Sequence, residues 1–154
     1  MRKVLAQLTI GLAIMGSAAF AADNSLGTWK LNMEKSKFSP AAPVKSLTSI
    51  REASDGGVKV TTTGEQADGT AVNASYTAKY DGKESPVTGA PYDTISIKPV
   101  NANTFTFTQK KKDGKYSVTG RSVVSKDGKA MTSTIKGTNA DGKAYSATMV
   151  WDKQ

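Results

Sequence analysis

The chain contains no histidine and no cysteine. Ser-His and Cys-His nucleophile pairs therefore cannot be assembled, and the usual side-chain ligands of zinc and haem are missing. The 13 Asp and Glu residues fall mostly in turns, or singly at outward positions such as Glu65 and Glu84. Distant strands can bring two carboxylates together, but we read these as solvated surface acids and assign no catalytic residue. No loop carries the dense alternating run of acidic ligands that calcium sites use. The expectation is no metal, no cofactor and no enzyme. Recognition by apolar and amphipathic side chains remains. Tyr76, Tyr80, Phe105, Phe107, Tyr116, Tyr145 and Trp151 form an aromatic set with two readings. Either they fill a core, or they wall a pocket in which tyrosine hydroxyls orient a ligand. Met is flexible and polarizable and suits adaptable contacts. The candidate ligand-binding residues are Tyr76, Tyr80, Phe105, Phe107, Tyr116, Met131 and Met149.

The elements that would position these residues are marked by six Asp-Gly pairs, at Asp55, Asp68, Asp81, Asp113, Asp127 and Asp141. Asp-Gly between alternating segments is a strong hairpin signal, and type I′ turns need positive φ at both central residues. The even spacing is the beat of strand, tight turn, strand. It predicts an antiparallel meander of ten strands: Leu26–Leu31, Lys45–Glu52, Val58–Gln66, Ala71–Tyr80, Ser85–Thr88, Thr94–Val100, Thr104–Lys111, Lys115–Val124, Ala130–Thr138 and Ala144–Asp152. Between the first two, Asn32–Val44 reads as a connector with room for one helical turn near Met33–Phe38.

Alternation assigns the faces. Val72, Ala74, Tyr76, Ala78 and Tyr80 share one side of their strand, and Phe105 and Phe107 alternate with threonines. Tyr116, Val118 and Val124 share parity with Gly120 and Ser122. Met131 and Ile135 form the next row, and Tyr145, Ala147, Met149 and Trp151 the last. The second strand is ambiguous, because Leu47 and Ile50 have opposite parity. The other faces carry Thr, Ser, Asn and Lys, unlike a membrane barrel with its apolar outer band. Closing a long meander removes its edges, so the expected fold is all-β: an up-and-down barrel of roughly ten strands. The inward rows hold many small residues, among them Ala74, Gly120, Ser122, Ser133 and Ala147. Side chains this small leave either an enclosed cavity or a barrel flattened into a sandwich, and the cavity is the expectation.

The N-terminus reads as a signal peptide. Arg2 and Lys3 precede a mostly apolar stretch, Leu5–Met15, and Ala19-Phe20-Ala21 is a small-x-small cleavage site. Cleavage after Ala21 leaves residues 22–154 as one domain, periplasmic or secreted. The apolar stretch is short for a bilayer span of about 20 residues, so the mature protein is not expected to cross a membrane. Without Arg2 and Lys3, the 21 basic residues fall to 19 against 13 acidic. Most are Lys, and four of the turns read Asp-Gly-Lys. We read this charge as solubility and protection of strand edges. No basic stripe interleaved with aromatics suggests nucleic acid.

Gly27-Thr28-Trp29-Lys30-Leu31 resembles the Gly-x-Trp opening of the calycins, which include lipocalins, fatty-acid-binding proteins and avidins. The ending Val150-Trp151-Asp152-Lys153 resembles that of fatty-acid-binding proteins. Segments 27–32, 81–89 and 123–132 make the chain similar to small lipocalin-like proteins exported by bacteria. The resemblance implies that Trp29 closes one end of the barrel under a basic side chain, Lys153 first and Arg121 second. It also shows departures. Asn32–Val44 is too short for the helical hairpin of fatty-acid-binding proteins. Their Arg-x-Tyr carboxylate anchor is replaced by Met149 and Trp151. Neutral or weakly polar molecules should then outcompete free fatty acids. The expected function is an exported barrel holding a small, mainly apolar ligand. The alternative is a periplasmic inhibitor or envelope-stress protein acting through loops or its outer face, with no protein partner indicated.

Overall fold

The computed structural model describes residues 22–154; the expected signal peptide and its cleavage site lie outside the described residues. Ten strands follow one another: β1 (Gly27–Ser39), β2 (Val44–Ser54), β3 (Gly57–Gln66), β4 (Ala71–Lys79), β5 (Ser85–Thr88), β6 (Thr94–Asn101), β7 (Thr104–Lys110), β8 (Ser117–Val124), β9 (Ala130–Thr138) and β10 (Ala144–Lys153). Each pairs antiparallel with its sequence neighbours, and β1 pairs with β10 to close the barrel. An up-and-down order needs only short hairpin connections, and the turn residues supply them.

The turns differ from type I′. Among the described residues, none other than glycine has positive φ. The Asp keeps ordinary backbone geometry and only the following Gly turns left-handed, as at Gly69 (φ 90°), Gly128 (φ 72°) and Gly142 (φ 78°). Gly128 N–H donates to the Ser125 carbonyl at 2.9 Å, and Gly142 N–H to the Asn139 carbonyl at 2.9 Å. This is a tight turn followed by a left-handed Gly, the pattern of longer hairpin loops. The Asp side chain braces the turn by accepting the N–H two residues on: Thr70 to Asp68, Lys83 to Asp81 and Lys129 to Asp127, at 2.9–3.0 Å. Hydrogen bonds favour the ionised carboxylate, so Asp68, bonded by Thr70 N–H, and Asp127, bonded first by the Ser125 hydroxyl at 2.6 Å and then by Lys129 N–H, sit below their ordinary pKa.

The expected connector after Leu31 is instead strand. β1 runs on to Ser39. Its register with β10 jumps between Asn32 and Lys37, so an irregular stretch lies opposite a shorter run of β10. Ser36 fills the break: its hydroxyl donates to the Asn32 carbonyl at 2.6 Å and accepts Val150 N–H at 2.9 Å. A bulge of this kind bends a strand without ending it.

The register settles the face of β2. Ser49 and Arg51 are buried, whereas Ile50 is 43% exposed. Leu47 packs against the core. Inside, Gly27, Arg51, Val60, Tyr76 and Val87 stand side by side across five adjacent strands. The core itself centres on Trp29, Val58, Ile95, Ile97, Val118 and Trp151. No described helix is long and apolar enough to cross a membrane.

Candidate functional site: a lumen with a sealed floor

One end of the barrel is closed by the chain leading into β1. Trp29 is fully buried, and its indole N–H donates to the Ser25 carbonyl at 2.8 Å. Trp29 and Lys153 are cross-strand neighbours. The Lys153 ammonium lies 5.0 Å from the centre of the indole and donates to the Leu26 carbonyl at 2.8 Å. Gly27 makes room for it: a Cβ there would come 2.8 Å from Lys153 Cε, on a backbone already at φ 118°. Arg121, the second candidate for this position, is elsewhere. It neighbours buried Ser122 on β8 and so points outward by strand alternation, onto an exposed groove with Lys98 and Lys136.

Beneath Trp29 lies a small polar cluster. Asp23 accepts from the Ser25 hydroxyl at 2.6 Å, from Ser25 N–H at 2.9 Å, and from the Tyr80 hydroxyl. Arg51 Nε donates to Ser25 Oγ at 3.3 Å. The guanidinium then stacks 4.8 Å from the centre of the Phe105 ring. β2 and β7 stand on opposite sides of the ten-stranded ring, so Arg51 spans the barrel and floors the space above it.

That space is a cavity of about 500 Å³, within the range of small-molecule sites. Six of the candidate ligand residues line it: Tyr76, Phe105, Phe107, Tyr116, Met131 and Met149. Tyr80 does not; its hydroxyl is engaged with Asp23 in the floor. The opening is set by small residues as much as by large ones. Ser122 and Ser133 occupy adjacent inward positions and bond to each other at 2.7 Å. The Phe107 ring fills the place a Cβ would take on its cross-strand neighbour Gly120.

Three contributors were not singled out from the sequence. Tyr92, in the β5–β6 loop, stacks on Tyr116 with ring centres 5.6 Å apart. Gln109 accepts from the Tyr116 hydroxyl at 3.3 Å. Arg51 is the third, and its signal was present: it shares parity with Leu47, one of the two options on β2. Burial pushes the Tyr80 hydroxyl up to about 12, assisted by its bond to Asp23. Burial likewise raises Tyr92, Tyr116 and Tyr145, and at Tyr92 the nearby Tyr76 and Tyr116 add to it. The described residues hold no group of three or more acidic side chains able to bind a metal. The arrangement can enclose an apolar body, orient it with tyrosine hydroxyls, and meet it at the floor with a cation.

No family model matches the chain, and no curated protein matches it. Among solved structures, it is similar to zebrafish ileal bile acid-binding protein complexed with cholic acid, at 11% sequence identity and a TM-score of 0.50. The match covers 86% of this chain and all of that one. The strand order, the β1–β10 closure and this likeness agree: in fold, the chain is a closed ten-stranded antiparallel barrel like that of the zebrafish protein.

Proposed function

We propose that this protein is an exported carrier that holds a small, mainly apolar molecule inside its barrel and performs no covalent chemistry on it. The observation that carries the reading is the cavity of about 500 Å³, lined by aromatic, aliphatic and methionine side chains in a closed barrel. Filling it removes apolar surface of both partners from water, at about 25 cal/mol per Å². The zebrafish barrel, which is similar in fold, was solved with cholic acid bound, and this is consistent with a small-molecule role. Export rests on the charged start, apolar stretch and Ala-x-Ala site of residues 1–21.

The test is binding of Nile red, a neutral dye whose emission reports an apolar environment. The wild type should enhance its fluorescence saturably. Phe107→Asp and Tyr76→Asp, if folded by circular dichroism, should lose the enhancement. No enhancement by the wild type would count against a carrier. Native mass spectrometry of protein from its own host would then identify any small molecule that co-purifies.

A further inference from the structure

Arg51 is the one charged side chain among the residues that line the cavity. It is 6% exposed. A guanidinium has five N–H donors and is always charged. Here Nε makes one long bond to Ser25. Nη2 is buried with no hydrogen-bond partner among the described residues. The nearest acid in the floor, Asp23, is not in contact with Arg51. It is reached only through the Ser25 hydroxyl, which receives from Arg51 and gives to Asp23. The face of Phe105 offsets part of the charge. It leaves the in-plane donors of Nη2 unmet.

A buried cation without a partner is costly, and proteins ordinarily pair such charges. The surrounding residues give this one no carboxylate: the lining holds no Asp or Glu. The missing acceptor can come from whatever occupies the cavity. We infer that Arg51 anchors an anionic head group, so that the carrier's ligand is an amphipathic monoanion with its charged oxygen atoms at the Trp29 floor and its apolar body among the aromatic and methionine side chains. This rests on the carrier reading above and refines it. It also reverses the expectation of neutral ligands drawn from Met149 and Trp151, because the cation is supplied by β2 instead of the last strands. The bond to Ser25 is long enough to yield readily, which lets the guanidinium turn toward a ligand without breaking the Asp23–Ser25–Tyr80 contacts.

The experiment compares 11-(dansylamino)undecanoic acid with its methyl ester, two fluorescent probes that differ in the charge of the head. The acid should bind the wild type about ten-fold or more tightly than the ester, as expected for a hydrogen-bonded charge pair. Arg51→Gln should bring the acid down to the ester's affinity and leave ester binding in place. Equal affinities in the wild type, or an acid preference that survives Arg51→Gln, would overturn the anchor while the carrier reading stands. The wild-type comparison decides the point even if the variant does not fold. Binding of neither probe would remove the carrier reading and the anchor together. Competition by decanoate and by decanesulfonate then selects the head: displacement by decanoate alone assigns a planar carboxylate, and displacement by both assigns oxyanions generally. Displacement by neither would overturn the anchor.

Discussion

Trp29 illustrates how one side chain can be both a core residue and a lid. Its indole has no exposed surface, its N–H is satisfied by Ser25, and a lysine covers its face. Trp29→Ala should therefore destabilise the protein by about 3–5 kcal/mol. Lys153→Ala should cost only about 0.5–1 kcal/mol, the scale of an exposed cation–π contact. Urea melts of the two variants check the ratio, and a Trp29 effect below about 1 kcal/mol would remove the indole from the core. The tyrosines give a second residue-scale prediction. A folded-state pKa raised from 10 to about 12, as for Tyr80, means the native protein holds the proton more tightly than the unfolded chain. That stability is fully present below pH 10 and is lost as pH rises toward 12. Tyr92, Tyr116 and Tyr145 act in the same direction. Alkaline titration followed by tyrosinate absorbance should show these groups ionising late, together with loss of the far-ultraviolet strand signal. Ionisation of Tyr80, Tyr92, Tyr116 or Tyr145 in an intact barrel at the ordinary pH of a tyrosine would contradict their buried placement.

At the scale of elements, the repeated Asp-Gly pairs are not equivalent. Gly128 is left-handed with nothing within 4 Å of a would-be Cβ. Gly128→Ala thus isolates the backbone cost of a left-handed residue, about 1–2 kcal/mol. Gly114 is not left-handed, but a Cβ there would come 2.5 Å from Lys111 Cγ; with that atom removed by Lys111→Ala, Gly114→Ala should cost less than Gly128→Ala. Equal losses in thermal melts would mean the two turns share a geometry. Strand positions were legible because period-2 alternation and turn spacing agree along β3 to β10. The long β1 was not, because a bulge breaks the alternation between Asn32 and Lys37 and two prolines, Pro40 and Pro43, follow just past its end. On β2, Leu47 and Ile50 gave contradictory signals, and only the register with β3 separates them. The cavity residues were legible as a parity set. Tyr80 shares that parity yet is drawn into the floor by Asp23, a long-range contact that no local pattern encodes. Arg51 escaped for a related reason: an inward arginine contradicts the hydrophobic alternation used to find the inside.

At the scale of the whole molecule, the barrel is a set of local hairpins closed by one distant seam. The Lys153–Leu26 hydrogen bond joins residues 127 positions apart. Neighbouring hairpins can form early, but the β1–β10 pairing must wait for the last strand, and non-local pairing slows folding. Leu31 sits opposite Trp151 in that seam and is buried. If the seam forms after the rate-limiting step, Leu31→Ala should mainly speed unfolding and barely change refolding, and stopped-flow kinetics in urea would show it. Equal effects on both limbs would place closure inside the transition state. Until the tenth strand docks, β1 and β9 each present a free row of N–H and C=O groups. An unclosed molecule is a curved sheet with two open edges, each able to take a strand from another copy. The seam that gives the protein its interior is thus also its guard against assembling with itself.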